Sequence, residues 1–386
     1  MESEYVSQLK LYTEKMLGRR VLSSTDCRFL SNDITQQLDS TLSFNTLRRF
    51  FNLMETKHHQ SVYTLNILAA YCGFSSFDDF SNIVRRKPVE NKGQQNPDLL
   101  FYLVMLFKDT EVSDEHDLIF FRFVRQTITF LEYHPDLIDQ FQREIAKTNN
   151  GQLYYFEQFV NIDRLNAYYG DGLQYYLHEK RTTEAQIFGN YLLCLRYWLA
   201  MDNKNLEKHY DAVIQFDINK KTSPVTAARY YAAQLIQAGT NPEPILIKAR
   251  QFYAAVSLTI DNFMSVFRSY CTLSQTLLLT RQYEEALFYI DEFLKNRKKY
   301  VLPPNESSLT ETIHLFKAIA LVRSGEKAAG KEWLDSINIC DFFFLSKQYL
   351  TILYLSIKQL LKKSSCEQKQ LQYLVRITGF VKLLQL

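Results

Sequence analysis

From Phe267 to Leu294 the chain runs FRSYCTLSQTLLLTRQYEEALFYIDEFL. Tyr270, Leu273 and Leu277 recur at intervals of three and four, the spacing that gathers apolar side chains on one face of a helix. A polar break follows at Thr280 to Gln282, after which Ala286, Ile290 and Phe293 resume the period. Two helices folded back on each other are expected, with Ala286 small enough to let them approach closely.

The same period extends in both directions. Leu118, Phe121, Val124, Ile128 and Leu131 give one stripe, Ile187, Tyr191, Leu195, Trp198 and Leu199 another, and Leu350, Leu353, Tyr354, Ile357 and Leu361 a third. No segment alternates as a half-buried strand would, and 11 Gly plus 8 Pro are too few for a turn-rich β fold. The expected class is all-α. Polar breaks fall at His134-Pro135, Asn149 to Gly151, Gly170 to Gly172, Gly239 to Pro244 and Ser324 to Lys327. The segment VRRKPVENKGQQNPD from Val84 to Asp98 holds two Pro, one Gly and almost nothing apolar. It reads as a linker over 85–97, separating a domain at 1–84 from a helical array at 98–386.

Helical hairpins of about 35 to 45 residues are in the range of α-solenoid repeats. Arg281-Gln282-Tyr283-Glu284-Glu285-Ala286 resembles the turn and second helix of the tetratricopeptide repeat. A looser copy follows at Leu321 to Ile337, where Ser324-Gly325-Glu326 supplies the turn and Gly330 stands where the small alanine is expected. The resemblance implies an α-solenoid of tetratricopeptide-like hairpins, matched by motif in these two units and by architecture elsewhere.

In the N-terminal domain, Cys27, Leu30, Ile34 and Leu38 mark one amphipathic helix, and Ser43 to Phe51 a second, with Ser43 as N-cap. The short connection between them has helix-turn-helix spacing. Ser61 to Phe74 and Ser75 to Phe80 add two more helices, the first ended by Gly73. This order resembles the lambda-repressor-like helix-turn-helix family, with Leu42 to Arg49 as the start of its recognition helix and Ser61 to Leu68 as the helix after it. Thr41 departs from the glycine often found in that turn, and would be strained at positive φ. With Leu47 and Phe50 inward, Phe44, Asn45, Arg48 and Arg49 are the candidates for an outer face. Asn45 and Arg48 suit base edges, while Ser43, Arg49 and Lys57 suit phosphates. The alternative is an ordinary solvated helix face on a domain that caps the array.

Charge leaves both readings open. Lys plus Arg number 45 and Asp plus Glu 42, for a formal charge of +3. Residues 42–59 carry Arg48, Arg49 and Lys57 against Glu55 alone. No phosphate-binding glycine loop, HExxH or nucleophile motif occurs, so no catalytic residue, cofactor or metal is expected. The adjacent His58 and His59 have no third ligand nearby, and the six scattered cysteines read as reduced, mostly buried thiols. No basic-then-apolar leader opens the chain, and its longest apolar run, Leu99 to Phe107, is too short to span a bilayer. A cytoplasmic protein without a membrane segment is expected. Tyr154, Tyr155, Phe156, Phe159, Tyr168, Tyr169, Tyr175 and Tyr176 form a dense aromatic cluster, read mainly as helix packing and otherwise as the lining of a peptide groove.

The pairing of the two modules is similar to peptide-responsive transcriptional regulators. That resemblance implies double-stranded DNA and a peptide or protein as partners, with homodimerisation joining two DNA-binding heads. The competing expectation is an interaction scaffold whose N-terminal domain binds no DNA.

Overall fold

In the computed structural model, residues 2–17, 21, 23–38, 40–54, 60–86, 97–112, 117–239, 241–302 and 308–385 are described. Every regular element among them is helical, and none of these helices is long and apolar enough to cross a membrane. The chain divides into two compact units, Met1–Gln94 and Gln95–Leu386. Of the expected linker, residues 87–96 lie outside the described residues.

The first unit contains α1 (Glu2–Leu17), α2 (Ser24–Gln37), α3 (Phe44–Phe50), α4 (Val62–Tyr71) and α5 (Phe77–Arg86). Three of these helices begin on a serine: Ser23, Ser43 and Ser61 accept from the amides of Asp26, Thr46 and Thr64. Each cap satisfies a first-turn N–H that has no partner inside the helix. Leu30, Ile34, Leu47, Phe50, Leu65 and Leu68 are buried together. α1, which the stripe-by-stripe reading passed over, adds Leu9 at 0 % exposure and packs on α4. Leu38 and Phe77 are only partly buried, and Phe80 takes the interior position. Thr41 carries no strain, since the described non-glycine residues at positive φ are Asn52, Met201 and Arg281.

The second unit opens with α6 (Pro97–Asp109), α7 (Leu118–Tyr133) and α8 (Pro135–Ile145). A π-helical segment, Gly151–Gln158, and a short turn, Ile162–Arg164, lead to α9 (Tyr168–Glu179). Helices then follow in pairs: α10 (Thr183–Ala200) with α11 (Asn203–Ile214), α12 (Pro224–Gln237) with α13 (Glu243–Ala254), and α14 (Phe263–Leu279) with α15 (Tyr283–Arg297). α16 (Ser308–Arg323) pairs with α17 (Lys327–Asp335), and α18 (Lys347–Leu361) with α19 (Ser365–Thr378). The first members of the pairs, α10, α12, α14, α16 and α18, lie side by side in one row.

Small residues set two of the close approaches. Ala286 is fully buried in α15. At Gly330 in α17 a Cβ would stand 2.5 Å from Val322 Cγ2 and 2.9 Å from the Val322 amide nitrogen, so only glycine lets α17 lie this close to α16. The expected break at Gly170 to Gly172 is absent, because both glycines lie inside α9. A Cβ at Gly172 would meet the buried Gln142 side chain of α8 at 2.5 Å, so there the glycine serves helix contact rather than a turn.

The end of the chain returns to its earlier part. A final short turn, Val381–Gln385, packs on α10, with Lys382 Nζ 5.5 Å from the Trp198 ring centre. Asn166 donates to the Thr378 carbonyl at 3.1 Å. Asp163, also far upstream, accepts from the amides of Gln348 and Tyr349 at the start of α18.

Candidate functional site

In the first unit, α3 is positioned by its cap and by Leu47 and Phe50, which anchor it in the core. The connection from α2 is tied down where Ser31 donates to the Leu42 carbonyl at 2.5 Å. At the other end Asn52 takes a left-handed conformation, and the Leu53 amide donates to the Arg48 carbonyl at 2.8 Å, closing the helix. Ser43 and Arg49 are exposed, whereas Phe44, Asn45 and Arg48 are half-buried.

The outer face is therefore narrower than the spacing implies. Phe44 packs against the core, with the Arg28 guanidinium 5.1 Å above its ring. Arg48 Nη1 donates to Asn45 Oδ1 at 3.3 Å, and Arg48 Nε is buried with no hydrogen-bond partner among the described residues. Two of the side chains expected to read bases thus hold each other. Arg28, which the sequence reading did not select, joins Arg49 as an exposed cation of the α2–α3 pair. Lys57, His58 and His59 lie outside the described residues.

In the second unit a groove of about 690 Å³ lies along the row of first helices, in the size range of ligand pockets. α7, α10, α12, α14, α16 and α18 all contribute to it, as do the π-helical segment and the loop before α18. Short π-helical stretches often occur at functional positions, and this one brings Glu157 and Gln158 to the groove wall. Phe343 and Phe344 supply apolar surface, with the Arg125 guanidinium 4.7 Å over the Phe344 ring.

Charge in the groove is unbalanced. Arg122, Arg125, Arg229, Arg268 and Lys347 line it against Glu157 and Asp341. Glu157 is already engaged, by Lys180 Nζ at 2.5 Å and by the Tyr176 hydroxyl at 2.8 Å. Asp341 accepts from Asn338 at 3.0 Å. The Arg229 guanidinium lies 4.6 Å over the Phe188 ring. Burial first, and then the charge of Arg268, lower its pKa below the usual guanidinium value. Arg268 donates to Gln158 Oε1 at 2.7 Å.

The aromatic cluster lies elsewhere. Tyr154, Tyr155, Phe156, Tyr169 and Tyr176 are buried, and their neighbours occupy several of the hydroxyls. Tyr169 donates to the Phe156 carbonyl at 2.7 Å, Gln142 donates to Tyr155 at 3.0 Å, and Tyr168 donates to Glu132 at 2.7 Å. Phe159 is the cluster member that reaches the groove. Of the thiols expected to be mostly buried, Cys27, Cys72 and Cys194 are buried and Cys271 is half-buried, while Cys340 and Cys366 are exposed. No group of three His, Cys, Asp or Glu side chains suited to a metal occurs among the described residues.

Aromatic density along the sequence does not point to the groove arginines. A different signal marks them: Arg229 is the sole charged residue of α12, and Arg268 the sole charged residue of α14. No protein-family model matches this chain, and neither a curated protein nor a solved structure matches it.

Proposed function

We propose that the chain is a transcriptional regulator, binding double-stranded DNA through a helix-turn-helix in its first unit and a peptide or protein ligand through a tetratricopeptide-like array in its second. The observation that carries the reading is α3 itself. A seven-residue helix capped by Ser43 is joined to α2 by a short connection and carries an exposed Arg49, with Arg28 exposed on α2. Ser43, Asn45, Arg48 and Arg49 are the proposed DNA contacts, joined by Lys57 and, at the edge, Phe44. The paired helices of the second unit, the small Ala286 and Gly330, and the groove along α10 to α18 support the array and its ligand role. Homodimerisation would present two α3 helices to one duplex.

Duplex binding measured at two salt concentrations tests the reading. Phosphate contacts release counterions, so affinity must fall as salt rises. Binding that is absent at low salt, or indifferent to salt, removes DNA from the account.

A second reading has one observation in its favour. The Arg48–Asn45 hydrogen bond and the half-buried Phe44 leave few free side chains for base edges. A chain that binds peptides normally but shows no DNA affinity would be an interaction scaffold whose first unit is a cap.

A further inference from the structure

Arg229 and Arg268 come from successive first helices of the row, each as the only charge in a helix otherwise built of apolar and neutral polar residues. Removing a cation from water is costly unless an anion or a set of acceptors replaces the lost hydration. Arg229 is half-buried at the groove wall, so its guanidinium keeps only part of its hydration. Its guanidinium rests on the Phe188 ring, and no hydrogen bond or ion pair of that group is found among the described residues. The groove carboxylate with most influence on it, Glu157, is held by Lys180 and Tyr176.

We propose that the groove binds a short peptide through an Asp or Glu side chain seated between Arg229 and Arg268, with a neighbouring apolar side chain against Phe343 and Phe344. The proposal rests on the peptide-binding reading of the second unit and names the chemistry of its ligand. Charge complementarity sets the anion, since the lining carries five cationic side chains and two carboxylates. The planar fork of arginine matches a carboxylate with paired donors. An inorganic anion would satisfy the arginines but make no use of the apolar surface that the half-buried Phe343 and Phe344 still present to the groove, so a ligand with both charge and apolar surface fits better.

The test is selection of a random-peptide phage library on the full chain, followed by affinity measurements with the best synthetic peptide. Selected sequences are expected to share an Asp or Glu next to an apolar residue. Replacing that acid by its amide should weaken binding by about tenfold or more, the loss expected for a charge-assisted pair. Arg229→Gln and Arg268→Gln should do the same, Arg229→Lys should fall between, and Lys331→Gln should change nothing. Thermal melting of each variant separates lost binding from lost folding, and the amide-substituted peptide gives an answer on the unmutated chain. Selected peptides without acidic residues, or affinity indifferent to Arg229 and Arg268, overturn the anchoring while leaving a peptide groove intact. If no peptide is selected, the groove reading falls as well. A melting shift with inorganic phosphate that depends on Arg229 would then assign the site to a small anion.

Discussion

The carboxylate of Asp163 accepts a hydrogen bond from the amide of Tyr349 at 2.8 Å, although 186 residues separate them. Its other oxygen accepts from Gln348 at 2.9 Å, while its own amide donates to the Leu345 carbonyl at 2.9 Å. One residue between the π-helical segment and α9 therefore caps the first turn of α18 and ties the last helix of the row to the segment that precedes α9.

Asp163→Ala should leave two amide donors without an acceptor where water has little access. The expected loss is about 1–3 kcal/mol, measured as a lower urea midpoint or melting temperature. Asp163→Asn keeps one good acceptor and should cost less. Equal stability of the alanine variant and the parent would show that water or a neighbouring group replaces the cap.

Two buried groups give opposing pH dependences. Burial, with Lys208 and Arg196 nearby, lowers the His209 pKa from 6.5 to about 4. The unfolded chain thus takes up its proton first, and stability is lost as pH falls from 6.5 towards 4. Burial raises the Asp163 pKa from 3.8 to about 6, against the pull of its amide donors. There the folded state takes the proton first, so stability is lost as pH rises from 3.8 to 6. Each effect amounts to about 3 kcal/mol, and the two offset each other between pH 4 and 6. His209→Gln should gain stability on acidification relative to the parent, whereas Asp163→Asn should become more acid-sensitive. Urea titrations at several pH values compare them, and parallel curves for all three proteins would dismiss both assignments.

Gly330→Ala should destabilise the α16–α17 pair by about 1–3 kcal/mol, because its Cβ meets a backbone nitrogen as well as the Val322 methyl. Gly330→Leu should be worse. Denaturant unfolding of the two variants decides it: a neutral alanine would mean that α17 can shift outward without loss.

The helical class was legible because stripes such as Phe121, Val124, Ile128 and Leu131 do face inward and are buried. Periodicity records only which side of a helix is apolar. It does not say what a glycine inside a helix is for, which is why Gly170 and Gly172 read as a break although they are contacts with neighbouring helices. Nor does it say which neighbours the outer side chains of α3 meet, here Arg28 from α2 over Phe44 and Asn45 for Arg48. The groove was hidden for a related reason. Its cations are separated along the chain, and only the packing of α12 beside α14 brings Arg229 and Arg268 together.

Arg49 is the cation of α3 most able to reach a phosphate. Its side chain is exposed, whereas that of Arg48 is half-buried and bonded to Asn45. If α3 lies against DNA, Arg49→Ala should weaken all sequences by a similar factor and reduce the slope of log affinity against log salt by about 1. Asn45→Ala should act differently, because it also releases Arg48 from its hydrogen bond. Sequence preference should relax there, by about 1–3 kcal/mol between preferred and non-preferred sites, with the salt slope nearly unchanged. Competition binding on a specific and a scrambled duplex over a range of salt separates the two patterns. An Arg49→Ala protein with an unaltered salt slope would mean that any DNA contact is made by another surface.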